Sequence, residues 1–163
     1  MEIEKKIQVS VVMGSQSDWL TMQGACDILQ KFNVSFEKKI VSAHRTPDRL
    51  YEYANSLTKR KVKVVIAGAG GAAHLPGMIA SKTDVPVIGV PINATDLKGL
   101  DSLYSIVQMP RGYPVATMAI GAPGAFNAAI FAIQVLAVSD VMISKKIKKW
   151  RFDTTNQVKD EPE

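Results

Sequence analysis

Two kinds of hydrophobic pattern alternate along this chain. Short runs of strand-forming residues fall at residues 7–13, 35–41, 62–67, 85–90 and 115–120, and each predicts a strand. Between the first two, Trp19, Met22, Cys26, Leu29 and Phe32 recur at spacings of three and four, which marks one face of an amphipathic helix. A second helix carries its own start signal: Thr46 can cap it, Pro47 suits the first helical position, and Asp48 favours the positive end of the helix dipole. Leu50, Tyr53, Ala54 and Leu57 then supply its buried stripe. A third helix is expected to begin near residues 75 and 76 and to end by Lys82. The connection from 91 to 114 is long for a compact domain, which suggests a job for it, and a short helix is expected there around Leu100, Leu103, Tyr104 and Val107. Residues 124–139 are apolar nearly all round, with only Asn127, Gln134 and Ser139 polar from Ala125 onward.

Strands alternating with helices imply a parallel sheet with right-handed crossovers and helices on both faces. The expected architecture is one domain over 1–163: a three-layer, doubly wound α/β sheet of flavodoxin-like type, without internal repeats. A C-terminal helix and polar tail are expected from about residue 140, loose or reaching over a neighbour from Asp153 to Glu163. In so small a protein the 124–139 helix can hide only partly against its own sheet, so much of it should meet another subunit.

Composition narrows the function classes. The 163 residues are 47% hydrophobic and 21% charged, enough for a real core. The lone Cys26 excludes an internal disulfide framework and suits a reducing compartment, the cytoplasm. Its place on the helix face favours a buried thiol over a nucleophile. The longest apolar stretch, 124–138, is interrupted twice and falls short of the roughly 20 residues a membrane span needs. Residues 1–6 mix acids and bases without an apolar core, so no signal peptide is expected. The net charge of +5 raises nucleic-acid binding. But Lys145, Lys146, Lys148, Lys149 and Arg151 cluster on the last helix with no aromatic stacking platform, so no nucleic acid is expected as partner.

In open α/β sheets, ligands sit beyond the carboxyl ends of the strands. Three unusual segments fall there. Gly14-Ser15-Gln16-Ser17-Asp18 follows the first strand and opens a helix, a natural phosphate cradle or an ordinary capped turn. Ser42-Ala43-His44-Arg45-Thr46-Pro47 follows the second, pairing a residue that can take and give a proton with a fork suited to phosphate. Standing alone, it would read as a solvent-facing polar loop. After the third come Gly68, Ala69, Gly70, Gly71, Ala73, His74 and Leu75. Gly68, Gly70 and Ala73 formally match a dinucleotide fingerprint, yet no acid ends the following strand at Gly89-Val90-Pro91. A loop stripped of side chains so that backbone can approach a small planar ligand is the better reading. The only two histidines share this edge, which raises the odds of a functional site. With Asp18 they would make a two-histidine, one-carboxylate metal set, but no ligand pair has helical metal spacing, so acid–base work ranks first and no metal is expected.

Met13-Gly14-Ser15-Gln16-Ser17-Asp18-Trp19, 42–47, 67–78 and 101–112 together resemble the bacterial 5-(carboxyamino)imidazole ribonucleotide mutases of purine biosynthesis, over roughly 9 to 137. The resemblance implies a flavodoxin-like octamer with sites at subunit junctions. It also implies a cofactor-free shift of carboxylate from the exocyclic nitrogen of a ribonucleotide to ring carbon C4. By this likeness Ser15, Ser17, Asp18 and Arg45 hold the ribose phosphate, His44 is the catalytic acid/base, and His74 lines the site. Ser42, Ala43, Ala69, Gly70, Gly71 and Leu75 complete the expected substrate contacts. A sister class carboxylates the aminoimidazole directly with carbon dioxide and tends to have lysine after the first histidine and to lack the second. Arg45 and His74 therefore favour the mutase. A transient hand-off of the labile substrate from the upstream ATP-dependent synthetase is a further expectation. Ala122-Pro123 departs from the family pattern at the start of the following helix.

Overall fold

The computed structural model describes residues 6–162. The amino-terminal reading otherwise falls on residues outside that range, as does Glu163. The elements in chain order are β1 (Val9–Met13), a 3-10 turn (Gln16–Asp18), α1 (Trp19–Lys31), β2 (Phe36–Ile40), α2 (Pro47–Lys59) and β3 (Val64–Gly70). There follow α3 (Leu75–Ala80), β4 (Val87–Ile92), α4 (Leu100–Val107), β5 (Ala116–Thr117), α5 (Ala122–Ala137) and α6 (Val141–Asn156). All strand pairs are parallel and the sheet order is β2-β1-β3-β4-β5, the doubly wound order with its switch point between β1 and β3.

Side-chain alternation along β1 explains the three layers. Val9, Val11 and Met13 pack into a cluster with α1, α5 and α6, through Met22, Leu29, Ala129 and Ile133. Val12 points the other way, into a cluster with Leu50 and Leu57 of α2, Ile79 of α3 and Ile106 of α4. Central strands covered on both faces need apolar residues throughout, and every residue of β1 and β4 is buried.

Ser10 is the polar exception in β1, fully buried and paired in register with Glu37. Its hydroxyl donates to Glu37 Oε1 at 2.8 Å and lies 2.6 Å from the Tyr53 hydroxyl. Arg60 Nη1 completes the knot at 2.7 Å from the same carboxylate. That knot matters because edge strand β2 has no buried residue to fix its position.

Several boundaries move from the sequence expectation. β5 shrinks from 115–120 to two residues, although Met118 N and Gly121 N still donate to the carbonyls of Gly89 and Pro91 at 2.9 and 2.8 Å. The expected 124–139 helix begins earlier, at Ala122. Gly121 takes a positive φ of 78° there, and Pro123 occupies the first turn, where its missing N–H costs nothing. The Ala122-Pro123 departure thus makes a sound helix start. This α5 also buries more of itself at home than its sequence suggests. Ala125, Ala128, Ala129, Ala132 and Ile133 vanish between the sheet, α1 and α6, while Phe126, Phe131 and Val138 remain exposed. The polar segment expected to be loose from Asp153 is helical as far as Asn156, tied by Lys149 Nζ to Asp153 at 2.9 Å and by the Thr154 hydroxyl to the Trp150 carbonyl. Among the described residues no helix is long and apolar enough to cross a membrane.

Candidate active site

The loops after β1, β2 and β3 converge on one cavity of about 330 Å³ at the carboxyl edge of the sheet. The first loop contributes Gly14, Ser15, Ser17 and Asp18. Ser15 N donates to Asp18 Oδ2 at 2.9 Å, which folds the segment into its 3-10 turn and sets the two serine hydroxyls against each other at the surface. The Asp18 side chain is almost wholly buried. Burial raises its carboxyl above the ordinary aspartate value, against the opposing pull of the Ser15 and Gly14 N–H groups and the Arg45 charge.

The second loop extends the ladder once more, Val41 N donating to Met13 O, and then turns outward. Ser42, Ala43, His44 and Arg45 all face the cavity. Arg45 bridges two loops: its Nε donates to Ser42 Oγ at 3.1 Å and its Nη2 to the Gly14 carbonyl at 2.9 Å. Among the described residues it makes no ion pair, so its charge is available to an anion.

The third loop is where small residues are required. A side chain at Gly70 would place its Cβ 2.5 Å from the Ala94 Cβ, and one at Gly68 would meet the Met22 sulfur at 2.4 Å. Both glycines lie within β3 rather than in a strand-to-helix turn, which removes the dinucleotide reading. Gly71 turns the chain with φ 64°. His74 then stands at the head of α3, its Nδ1 2.8 Å from His44 Nε2, the rings crossed edge to face at 86°. Two residues from separate loops, thirty positions apart, thus meet as an exposed imidazole pair. Among the described residues, no three histidine, cysteine, aspartate or glutamate side chains are grouped to hold a metal ion.

Of the sequence-predicted contacts, Ser15, Ser17, Asp18, Ser42, Ala43, His44, Arg45, Ala69, Gly70, His74 and Leu75 line the cavity. Gly71 does not; it shapes the turn instead. Gly14, Ala72 and Ala94 also line it, although none was among the expected substrate contacts. The unusual length of the 91–114 connection was the one signal pointing to Ala94. Cys26 sits in the core on α1, and burial pushes its thiol up to about 11.

An open parallel sheet of this order, with a polar cradle beyond β1, β2 and β3, defines a doubly wound α/β protein whose site is built from strand-to-helix loops together with the last residues of β3 and the start of α3. The chain belongs to the AIR carboxylase family, whose model matches residues 8–157. It is 55% identical to the N5-carboxyaminoimidazole ribonucleotide mutase of Haemophilus influenzae, covering 99% of this chain and 98% of that one. Identity to the Bacillus subtilis protein of the same name is 57%, over 92% and 93% of the two chains. The Escherichia coli K12 protein of that name is 54% identical, over 96% and 92%. Among solved structures, Treponema denticola PurE superposes with a TM-score of 0.84 at 24% identity over 92% of both chains, a likeness of fold.

Proposed function

We propose that this protein converts 5-(carboxyamino)imidazole ribonucleotide to 4-carboxy-5-aminoimidazole ribonucleotide in purine biosynthesis. The observation that carries the reading is the His44–His74 pair, 2.8 Å apart, beside an arginine that has no ion-pair partner among the described residues. Arg45, with the Ser15 and Ser17 hydroxyls, holds the ribose phosphate and so orients the ring. Asp18 completes that end of the site, and the Ala69–Gly70 backbone lies along the ring. As the N-carboxylate loses carbon dioxide, His44 gives a proton to the leaving nitrogen. C4 then attacks the retained carbon dioxide, and His44 takes back the proton that C4 carried. One imidazole serves as acid and then base, and atoms and charge balance without a cofactor. His74 holds the tautomer and orientation of His44 through their shared hydrogen bond.

Arg45 and His74 in one cavity favour this transfer over direct carboxylation of the aminoimidazole by free carbon dioxide. The protein acts in the cytoplasm as a homo-oligomer, an octamer, and takes its labile substrate by transient hand-off from the upstream ATP-dependent synthetase.

The test is to mix purified protein with the carboxyamino nucleotide, without bicarbonate, and follow the C4-carboxylate. Wild type should convert it directly, and His44→Asn should lose about 10²–10⁴-fold in turnover. A wild type that turns over the aminoimidazole only with added bicarbonate is a carboxylase. A His44→Asn variant within a few-fold of wild type refutes the acid/base assignment.

A further inference from the structure

Ala94 closes one wall of the cavity from a loop with little to hold its shape. Residues 93–98 between β4 and α4 are all exposed, and Lys98 is left-handed at φ 53°, followed by Gly99 at φ 87°. A lysine in that region is strained, so the loop keeps this form only through its contacts. Within the loop Lys98 N donates to the Thr95 carbonyl at 3.0 Å, and the side-chain contacts gather on the first turns of α4. Thr95 Oγ1 donates to Asp101 Oδ2 at 2.6 Å and accepts from Leu97 N at 3.2 Å. The other Asp101 oxygen accepts from Ser102 N at 2.9 Å. Ser102, fully buried, donates to the Ile92 carbonyl at 2.8 Å and so fixes α4 to the end of β4. Ser105 Oγ donates to the Asp101 carbonyl at 2.7 Å and lies 3.4 Å from the Gly71 carbonyl. One stretch of α4 therefore holds both the loop bearing Ala94 and the turn after Gly70. The two held segments face each other closely: a Cβ on Gly71 would lie 3.6 Å from Thr95 Cγ2. The Thr95 hydroxyl also lowers the Asp101 carboxyl from the ordinary aspartate value, which favours the charged acceptor.

We infer that Asp101 is a positioning residue which, through Thr95, holds Ala94 against the Gly70–Gly71 backbone so that the cavity retains carbon dioxide between its release and its capture. The inference rests on the carboxylate-transfer reading above. In that step the C–N bond of the N-carboxylate breaks as the nitrogen gains a proton, and free carbon dioxide exists until C4 supplies the electron pair of the new C–C bond. A loosened wall lets the carbon dioxide escape, which leaves the decarboxylated aminoimidazole nucleotide instead of product. The phosphate anchor rests on the first two loops, so affinity should hardly change.

The experiment compares wild type, Thr95→Val, Thr95→Ser and Asp101→Ala. Each is supplied with the carboxyamino nucleotide, and the C4-carboxylate and the decarboxylated nucleotide are both measured against a protein-free control. Thr95→Val and Asp101→Ala should lower kcat about tenfold, with KM within about twofold of wild type. In both, the share of turnover lost as decarboxylated nucleotide should rise several-fold. Thr95→Ser keeps the hydroxyl and should restore the wild-type partition. Thr95 is exposed, so thermal melting should show its two variants folded; if Asp101→Ala is not folded, the Thr95 pair decides alone. An unchanged partition in Thr95→Val, a loss confined to KM, or a Thr95→Ser variant as impaired as Thr95→Val overturns the inference. Wild type that fails to convert the nucleotide at all refutes the functional reading instead.

Discussion

Two imidazole nitrogens 2.8 Å apart can share one proton between them, but neither two protons nor none without repulsion. The pair therefore fixes which face of His44 is committed to its neighbour and which is free. Asp18 shows the cost of building such a site. Its carboxyl is raised chiefly by burial, so the folded state binds that proton more tightly than the unfolded chain does. By linkage the stability contributed by the protonated form is present at low pH, and it declines as pH climbs from the ordinary aspartate value through the raised one. Asp18→Asn, which removes the buried charge and keeps an oxygen for Ser15 N, should raise the melting temperature at neutral pH while lowering activity. Melting curves at pH 4 and 7 check this, since the gain should shrink toward pH 4; a variant less stable than wild type at both would contradict it. The residues of this site were legible because polar side chains stood out in short loops between apolar strands. Gly71 and Ala94 were harder to place, because a small residue carries no sign of whether it lines a cavity or merely permits a turn.

Elements were legible by their apolar spacing, and the misses fell at their ends. The α2 stripe of Leu50, Tyr53, Ala54 and Leu57 is buried as its spacing predicts. β5 was overestimated because Val115, Met118 and Ile120 look like a strand, while the chain there bonds to β4 mostly through isolated N–H groups. α6 was underestimated at its end because polar residues there prolong the helix, through the Lys149–Asp153 pair and the packing of Trp150 against Phe32 one turn earlier. α2 ends with Lys61 in the left-handed conformation at φ 61°, where glycine is the usual residue. Lys61→Gly should stabilise the fold by up to about 1 kcal/mol, the left-handed cost of a side chain less the added freedom of the unfolded chain. Lys61 lies at the opposite edge of the sheet from the cavity, so activity should not change. Chemical denaturation settles the sign, and a loss of stability would mean that the lysine side chain makes a contact worth more than the strain.

The molecule as a whole leaves much apolar surface in water. On and beside α4, Leu97, Leu100, Tyr104 and Val107 are between 47% and 63% exposed. Phe126 and Phe131 of α5 are exposed at 37% and 39%. Such area on a small chain suits a symmetric assembly. Light scattering of the active protein at micromolar concentration should therefore give an oligomeric mass. Phe131→Asp should lower that mass while the monomer keeps its helical content, because the exposed 39% of Phe131 is the part available to a neighbour. A monomeric mass for active wild type would refute the proposed assembly.

Each strand-to-helix loop of the first three units reaches the cavity, whereas each helix-to-strand turn lies at the far edge of the sheet. The two edges therefore differ in what they can tolerate. A residue inserted between Ser42 and Arg45 would carry His44 away from His74, whereas one inserted beside Asn33 or Lys61 would open a tight turn between buried neighbours, Phe32 and Val34 or Val62, on the side away from the three loops. The sheet thus divides the protein into a working edge and a bracing edge, and damage to the second is felt as lost stability before it is felt in the chemistry.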